Sequence, residues 1–317
     1  MKVLVTDKSA EEALQELKDA GHQVTYDEMD NDTLLREIGN YDGLMLRSRT
    51  KVTTDIVEAG SKGNLKVIGR AGIGVDNIDI KKAGELGIKV VNSPTGSTKS
   101  VAELSIAHML SLARYLPKAD STMKKGEWIK KQLKGTELSG KTLGLVGSGN
   151  IAQHVSKVAN CLGMNVIVYS PNCTDEKASK MGAKRKNFEE LLKESDFVSL
   201  HIPHNDKSHY LFDKKTLDMM KDGAYLINAA RGGVVSEDAL YESLKKGKIA
   251  GAAVDVFEKE PTPKENKLLE LENVILSPHL GANTKEAQIK AGTICAEQIN
   301  KVLEGKEPEF WVNKKFM

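Results

Sequence analysis

Ten short apolar runs alternate along this chain with segments whose apolar residues recur every 3.6 positions or so. The runs are 3–6, 43–46, 66–68, 88–91, 142–146, 165–169, 197–200, 224–227, 249–254 and 274–276. Each is too short for a helix, and most are predominantly apolar rather than strictly alternating. That is the pattern of strands buried on both faces. Helical segments between them include 10–20, closed by Gly21, and 237–246, closed by Gly247. Glycine at such a position readily takes the left-handed conformation that ends a helix. Strand, helix, strand repetition predicts βαβ units with right-handed crossovers, hence α/β architecture with parallel sheets covered by helices. At 317 residues the chain is too long for one core and fits two domains.

Composition removes several function classes. The net charge is +2, from 46 basic and 44 acidic residues, so no global field draws nucleic acid or a membrane surface. No apolar run reaches the ~20 residues of a membrane span. The opening M-K-V-L-V-T-D turns polar after three apolar residues, so no signal peptide is expected. Cys161, Cys173 and Cys295 form no C-x-x-C pair and read as reduced thiols of a cytoplasmic protein with no metal site.

Arginine is scarce, seven against 39 lysines, which directs attention to where it occurs. Its planar fork binds carboxylate or phosphate at two points. Arg47 and Arg49 share R-S-R-T, Arg70 ends a strand run, and Arg231 opens a Gly-Gly turn. These four stand at strand-to-loop junctions, whereas Arg36, Arg114 and Arg185 fall in helical or polar surface contexts. A turn-rich stretch, N-S-P-T-G-S (92–97), precedes a helical pattern over 98–115 and marks a domain boundary. In the lysine-rich stretch 124–134, Trp128 reads as a packing anchor or subunit contact. The last helical pattern, 284–303, carries an apolar stripe of Ala291, Ile294, Cys295, Ile299 and Val302, whose packing partner the pattern does not name.

The apolar run ending at Val146 leads into G-S-G-N-I-A (147–152) and then a helical pattern to Leu162. A glycine-rich turn between strand and helix lets backbone approach a pyrophosphate, whose charge sits at the helix N-terminus. The acidic residue that selects NAD belongs at the end of the next strand, about 20 residues on. Here that residue is Ser170, which can bond a ribose hydroxyl but does not repel a 2′-phosphate. NAD is the expected cofactor, with NADP not excluded.

Three late segments each follow a strand run: N-A-A-R-G-G (228–233), V-D-V-F-E-K-E-P (254–261) and S-P-H-L-G-A (277–282). Ligands of open α/β sheets bind beyond the carboxyl ends of the strands, so these loops should converge and bring Arg231, Glu260 and His279 together. Singly, His279 could begin a helix and Glu260 could sit in a solvated turn. Together they suit hydride transfer at a 2-hydroxy acid. The guanidinium binds the carboxylate and polarises the reacting C–O, the imidazole exchanges the hydroxyl proton, and a carboxylate beside it stabilises the imidazolium.

These residues resemble the D-isomer-specific 2-hydroxyacid dehydrogenase family over essentially the whole chain, and within it the members that act on 3-phosphoglycerate. The likeness rests on R-S-R-T-K-V-T (47–53), G-R-A-G-I-G-V-D-N-I-D (69–79), K-G-T-E-L-S-G-K-T-L-G (134–144) and S-P-H-L-G-A-N-T-K-E-A (277–287). It implies two Rossmann-like doubly wound domains, with a substrate domain of 1–97 and 284–317 and a dinucleotide-binding domain of 98–283 inserted into it. Arg231, Glu260 and His279 would be catalytic, and Arg47, Arg49, Arg70 and Lys130 would bind substrate, Lys130 reaching the neighbouring subunit's site. Cofactor contacts would fall on Ile73, Gly147, Gly149, Asn150, Ile151, Ser170, Ile202, Ala229, Ala230, Arg231, Asp255, His279, Gly281 and Ala282. A homodimer through 115–138 is implied, as is closure about hinges near Ser97 and Asn283.

Departures from the family pattern gather at the cofactor. Asn150 stands where arginine is usual, Ile73 and Ile202 where hydroxyl residues are common, and Ser170 where aspartate is usual. A chain ending at Met317 is also expected to lack the regulatory domains of longer relatives. The implied reaction is oxidation of 3-phosphoglycerate at C2, which opens serine synthesis. The alternatives are a glyoxylate or hydroxypyruvate reductase with the same triad and, from another class, a dinucleotide-sensing corepressor.

Overall fold

Continuous apolar runs become parallel strands in the computed structural model, which describes residues 1–317. The chain divides into two units, Met1–Thr98 with Ala282–Met317, and Lys99–Gly281.

In the first unit β1 (Lys2–Val5), α1 (Glu11–Asp19), β2 (Gln23–Tyr26), α2 (Asn31–Glu37) and β3 (Gly43–Leu46) follow one another. They continue into α3 (Thr54–Ser61), β4 (Val67–Arg70), α4 (Ile80–Glu85) and β5 (Lys89–Asn92). The sheet is parallel in the order β2-β1-β3-β4-β5, so the winding reverses between β1 and β3. The C-terminal helix Lys285–Leu303 lays its apolar stripe on this sheet, with Cys295, Ala296 and Ile299 fully buried. Gly69 in β4 makes that approach possible, because a Cβ there would stand 2.5 Å from Ile299 Cδ1 and 2.8 Å from Cys295 Sγ. Beyond the helix, fully buried Asn313 accepts from Val90 N (2.8 Å) and donates to Ile88 O (2.9 Å), fastening the terminal segment along β5. Strand β2 is absent from the apolar runs because it is an edge strand, with Gln23 and Tyr26 exposed and no core face to fill.

The second unit opens with α5 (Thr98–Arg114), α6 (Leu116–Lys124), β6 (Thr142–Val146), α7 (Asn150–Cys161), β7 (Asn165–Tyr169) and α8 (Asp175–Lys180). It continues through β8 (Lys184–Arg185), α9 (Phe188–Glu194), β9 (Phe197–Leu200), α10 (Lys214–Met219) and β10 (Ala224–Asn228). It ends with α11 (Glu237–Lys245), β11 (Ile249–Val254) and β12 (Val274–Leu276). Seven parallel strands lie in the order β12-β11-β10-β9-β6-β7-β8. The chain runs outward from β6 to β8, then returns to β9 on the other side of β6. Two apolar clusters, one on each face, make this a doubly wound sheet covered on both sides. The two-residue β8 is wholly exposed and carries no apolar signal. No helix is long and apolar enough to cross a membrane.

Candidate active site

At the reversal between β6 and β9 the Gly147 turn leaves the sheet. Gly147 has φ +115°, and a Cβ there would lie 2.3 Å from the carbonyl oxygen of His201, at the end of β9. Gly149 is the N-cap of α7; no side chain caps that helix, and a Cβ on Gly149 would meet nothing within 4 Å. The N-terminus of α7, from Asn150 and Ile151 onward, is therefore left without a side-chain cap and with room beside Gly149. That cradle fits a dinucleotide pyrophosphate. Half-buried Ser170 directly follows β7, whose Tyr169 O accepts from Gly147 N (2.8 Å). Ile202, half-buried, packs on the core beside the same turn.

His201 is half-buried at this point, with Nε2 2.9 Å from Ser199 Oγ and Nδ1 buried without a partner. Burial pushes its pKa from 6.5 down to about 4. The unfolded chain takes up this proton from about pH 6.5, while the folded protein resists it until about pH 4. Stability should therefore fall as pH drops through that window, by at most about 3 kcal/mol. Urea midpoints measured across it check the slope, which His201→Asn should flatten. An unchanged slope in the variant would remove His201 as its source.

Three loops meet at the carboxyl ends of β10, β11 and β12. Asn228, 2% exposed, accepts from Ala230 N (3.2 Å) and donates to Arg231 O (3.1 Å), holding the arginine turn. Ala229 and Ala230 are buried beneath it, and Arg231 is half-buried, its Nη1 donating to Ala230 O (2.7 Å). Only glycine fits at 232, since a Cβ would stand 1.8 Å from Phe257 O. The arginine turn is thereby pressed onto the loop after β11. In that loop Phe257 N donates to Glu260 Oε1 (3.0 Å), and Glu260 Oε2 lies 2.8 Å from His279 Nδ1. A carboxylate accepts only, so the ring proton sits on Nδ1 and Nε2 is left to react. Loop and pair remain partly open, with the His279 and Glu260 side chains 48% and 38% exposed.

Asp255 organises the histidine loop. It is fully buried, and its Oδ1 accepts from Ser277 Oγ (2.6 Å) and Leu280 N (2.7 Å) while Oδ2 accepts from Gly281 N (2.9 Å). His279 N donates to Asp255 O (2.8 Å), with His279 itself at φ +53°. An aspartate directly after a buried strand is the signal for this organising role. Half-buried Ala282 follows at the edge of the first unit.

In the first unit the R-S-R-T loop follows β3, also at a reversal. Asp7, just past β1, is 3% exposed and its Oδ2 accepts the amides of Arg47 (2.7 Å), Arg49 (3.2 Å) and Thr50 (3.3 Å). Asn77 adds bonds to Arg47 O (2.8 Å) and Thr50 O (2.7 Å). The two arginines differ. The Arg49 guanidinium is engaged with Asp7 (3.3 Å), Met29 O (3.2 Å) and Thr6 O, whereas that of Arg47 meets Lys8 O at 3.3 Å. Arg70 ends β4 with its guanidinium against Gly72, and Ile73 O accepts from Asn92 Nδ2 (2.6 Å). Lys130 is exposed in a short turn near Trp128, which is 75% exposed. Asp7 and Asn77 carry no signal in the sequence because each acts on backbone distant along the chain, and Asn228 carries none because an asparagine that braces its own turn reads as an ordinary loop residue.

Comparison with known proteins adds four findings. Residues 106–281 match the model described as D-isomer specific 2-hydroxyacid dehydrogenase, NAD binding domain. The chain is 49% identical to a D-3-phosphoglycerate dehydrogenase of Methanocaldococcus jannaschii, over 99% of this chain and 59% of that one. It is 46% identical to a hydroxypyruvate reductase of Thermotoga maritima, over 95% of this chain and 98% of that one. A solved structure, the TT0316 protein from Thermus thermophilus, superposes with a TM-score of 0.89 at 34% identity, covering 98% of this chain and all of that one. The chain thus spans less than two thirds of the phosphoglycerate dehydrogenase it matches and nearly the full reductase.

Proposed function

The chain belongs to the D-isomer specific 2-hydroxyacid dehydrogenases, and from that premise we propose that it oxidises 3-phosphoglycerate at C2 to 3-phosphohydroxypyruvate, with NAD as hydride acceptor. The carrying observation is the 2.8 Å His279–Glu260 pair on a loop against which the Arg231 turn is pressed. Arg231 binds the substrate carboxylate and polarises the C2 oxygen. His279 Nε2 takes the hydroxyl proton while Glu260 holds Nδ1–H and so fixes which nitrogen reacts. The Gly147 turn and α7 receive the pyrophosphate, with Asn150, Ile151, Ile202 and the alanines 229 and 230 lining its path. Ser170 bonds the ribose without opposing a 2′-phosphate, so discrimination against NADP is expected to be small.

Arg47 and Arg49, held by Asp7, recognise the phosphate, with Arg70 beside them and Lys130 contributed by the second subunit of a dimer. That dimer would form through 115–138, where Leu116, Met123 and Trp128 are exposed. Three unpaired cysteines support the cytoplasm as its compartment.

The second reading is a hydroxypyruvate reductase, favoured by the near full-length match to the Thermotoga protein. Arg47→Ala distinguishes the two, because Arg47 has the less committed guanidinium. Losing a charge-assisted contact should raise the KM for 3-phosphoglycerate about tenfold or more. The KM for glyoxylate, which has no phosphate, should stay within about twofold. Equal effects on both substrates in steady-state assays would overturn the phosphate assignment, and assaying both nicotinamides in parallel would settle cofactor choice.

A further inference from the structure

One buried titratable side chain touches the catalytic loop and has no place in the scheme above. His108 projects from α5 into the interior and is 5% exposed. Its Nε2 lies 3.5 Å from Ser277 Oγ, and its Nδ1 is buried without a partner. The same face of α5 reaches the loop a second time two turns earlier, at Val101, whose Cγ2 would lie 3.2 Å from a Cβ on Gly281.

The proton inventory fixes the direction of this chain of groups. Ser277 has one hydroxyl proton, and at 2.6 Å the Asp255 carboxylate, which can only accept, takes it. Toward His108 the serine therefore presents a lone pair. An imidazole in contact with a lone pair must offer N–H, so Nε2 carries the proton and Nδ1 is the bare nitrogen. Burial pushes the His108 pKa down, against a smaller opposing pull from the Asp255 charge, which agrees with a neutral ring.

We propose that His108 is a positioning residue: its Nε2–H holds the Ser277 hydroxyl on Asp255, and Asp255 in turn fixes the Leu280 and Gly281 amides and so the aim of His279. The hydroxyl is the one rotatable member of the set, since the other donors to Asp255 are backbone amides. Without a donor at 108 the hydroxyl can turn away, leaving Oδ1 with the Leu280 amide alone and the loop freer at its base. His108 meets the loop at Ser277 and not at His279 or Glu260, so the effect belongs in kcat and in loop order rather than in binding.

The inference rests on the dehydrogenase reading for its kinetic arm only. Nitrogen-15 spectra of the histidine-labelled protein, without substrate, should contain a neutral Nε2–H imidazole at about pH 7.5 that vanishes in His108→Gln. A Nδ1–H or charged ring at that position would overturn the proposal. His108→Leu should speed amide exchange at Leu280 and Gly281 about tenfold, and lower kcat about tenfold with KM values within about twofold. His108→Gln, whose side-chain amide can replace the donor, should restore most of both. Unaltered exchange and kcat in the leucine variant, or no recovery in a folded glutamine variant, would refute it. Absence of turnover in the wild-type protein, with spectra and exchange as stated, would instead refute the dehydrogenase reading and leave the positioning role standing.

Discussion

Glutamine in place of His279 is expected to lower kcat for the proposed oxidation by about 10³-fold while NADH binds as before. The size follows from what is removed. The Nε2 atom exchanges the hydroxyl proton, and an amide nitrogen cannot accept it at neutral pH. The fold is not expected to suffer, because the 279 side chain is 48% exposed and the loop is carried by Asp255 through backbone amides. Glutamine can still donate to Glu260, so the carboxylate is not stranded. Stopped-flow hydride transfer and NADH fluorescence titration separate the two effects. Wild-type turnover in the variant would take the histidine out of the mechanism, and lost NADH binding would show that the residue serves the cofactor instead.

Gly147→Ala is the second large effect, and its origin is steric rather than chemical. The added methyl would stand 2.3 Å from the His201 carbonyl oxygen, an atom fixed because His201 N is bonded to Val146 O (2.8 Å). The backbone at φ +115° is in addition one that an L-residue adopts only under strain. Strain of about 1–3 kcal/mol plus the clash should displace the turn. We expect a destabilisation of about 3 kcal/mol or more, and NADH affinity reduced about 100-fold. Thermal unfolding and fluorescence titration check both. Gly149→Ala is the control, since a Cβ at 149 meets no protein atom and should leave stability nearly unchanged. If Gly147→Ala binds NADH as tightly as the wild-type protein does, the turn is not where the pyrophosphate sits.

Legibility followed the range of the interaction that each feature depends on. Strands such as β6, β7 and β9 were readable because a strand covered on both faces is mostly apolar without polar alternation, a pattern written in four or five consecutive residues. Strand β2 was not readable. An edge strand fills no core, so Gln-Val-Thr-Tyr carries little more signal than a loop. The motifs around Gly147, Arg231, Glu260 and His279 stood out as loops after strands. Asp7 and the Ser277–His108 contact did not, because their partners lie from 40 to 169 positions away.

Local patterning alone therefore determined an α/β chain with parallel sheets, a glycine turn opening a helix, and an arginine, a glutamate and a histidine placed after strands. Burial periodicity and backbone sterics act over a few residues, so the chain cannot conceal them. The tertiary structure alone decided the strand orders, which place reversals at β1/β3 and β6/β9, and the neighbours each loop acquired. Adjacency in a parallel sheet is set by where each crossover helix finds room to pack, a long-range outcome of the whole core. For that reason the carboxylate that grips the histidine loop comes from β11, and the ring that orients its serine comes from α5.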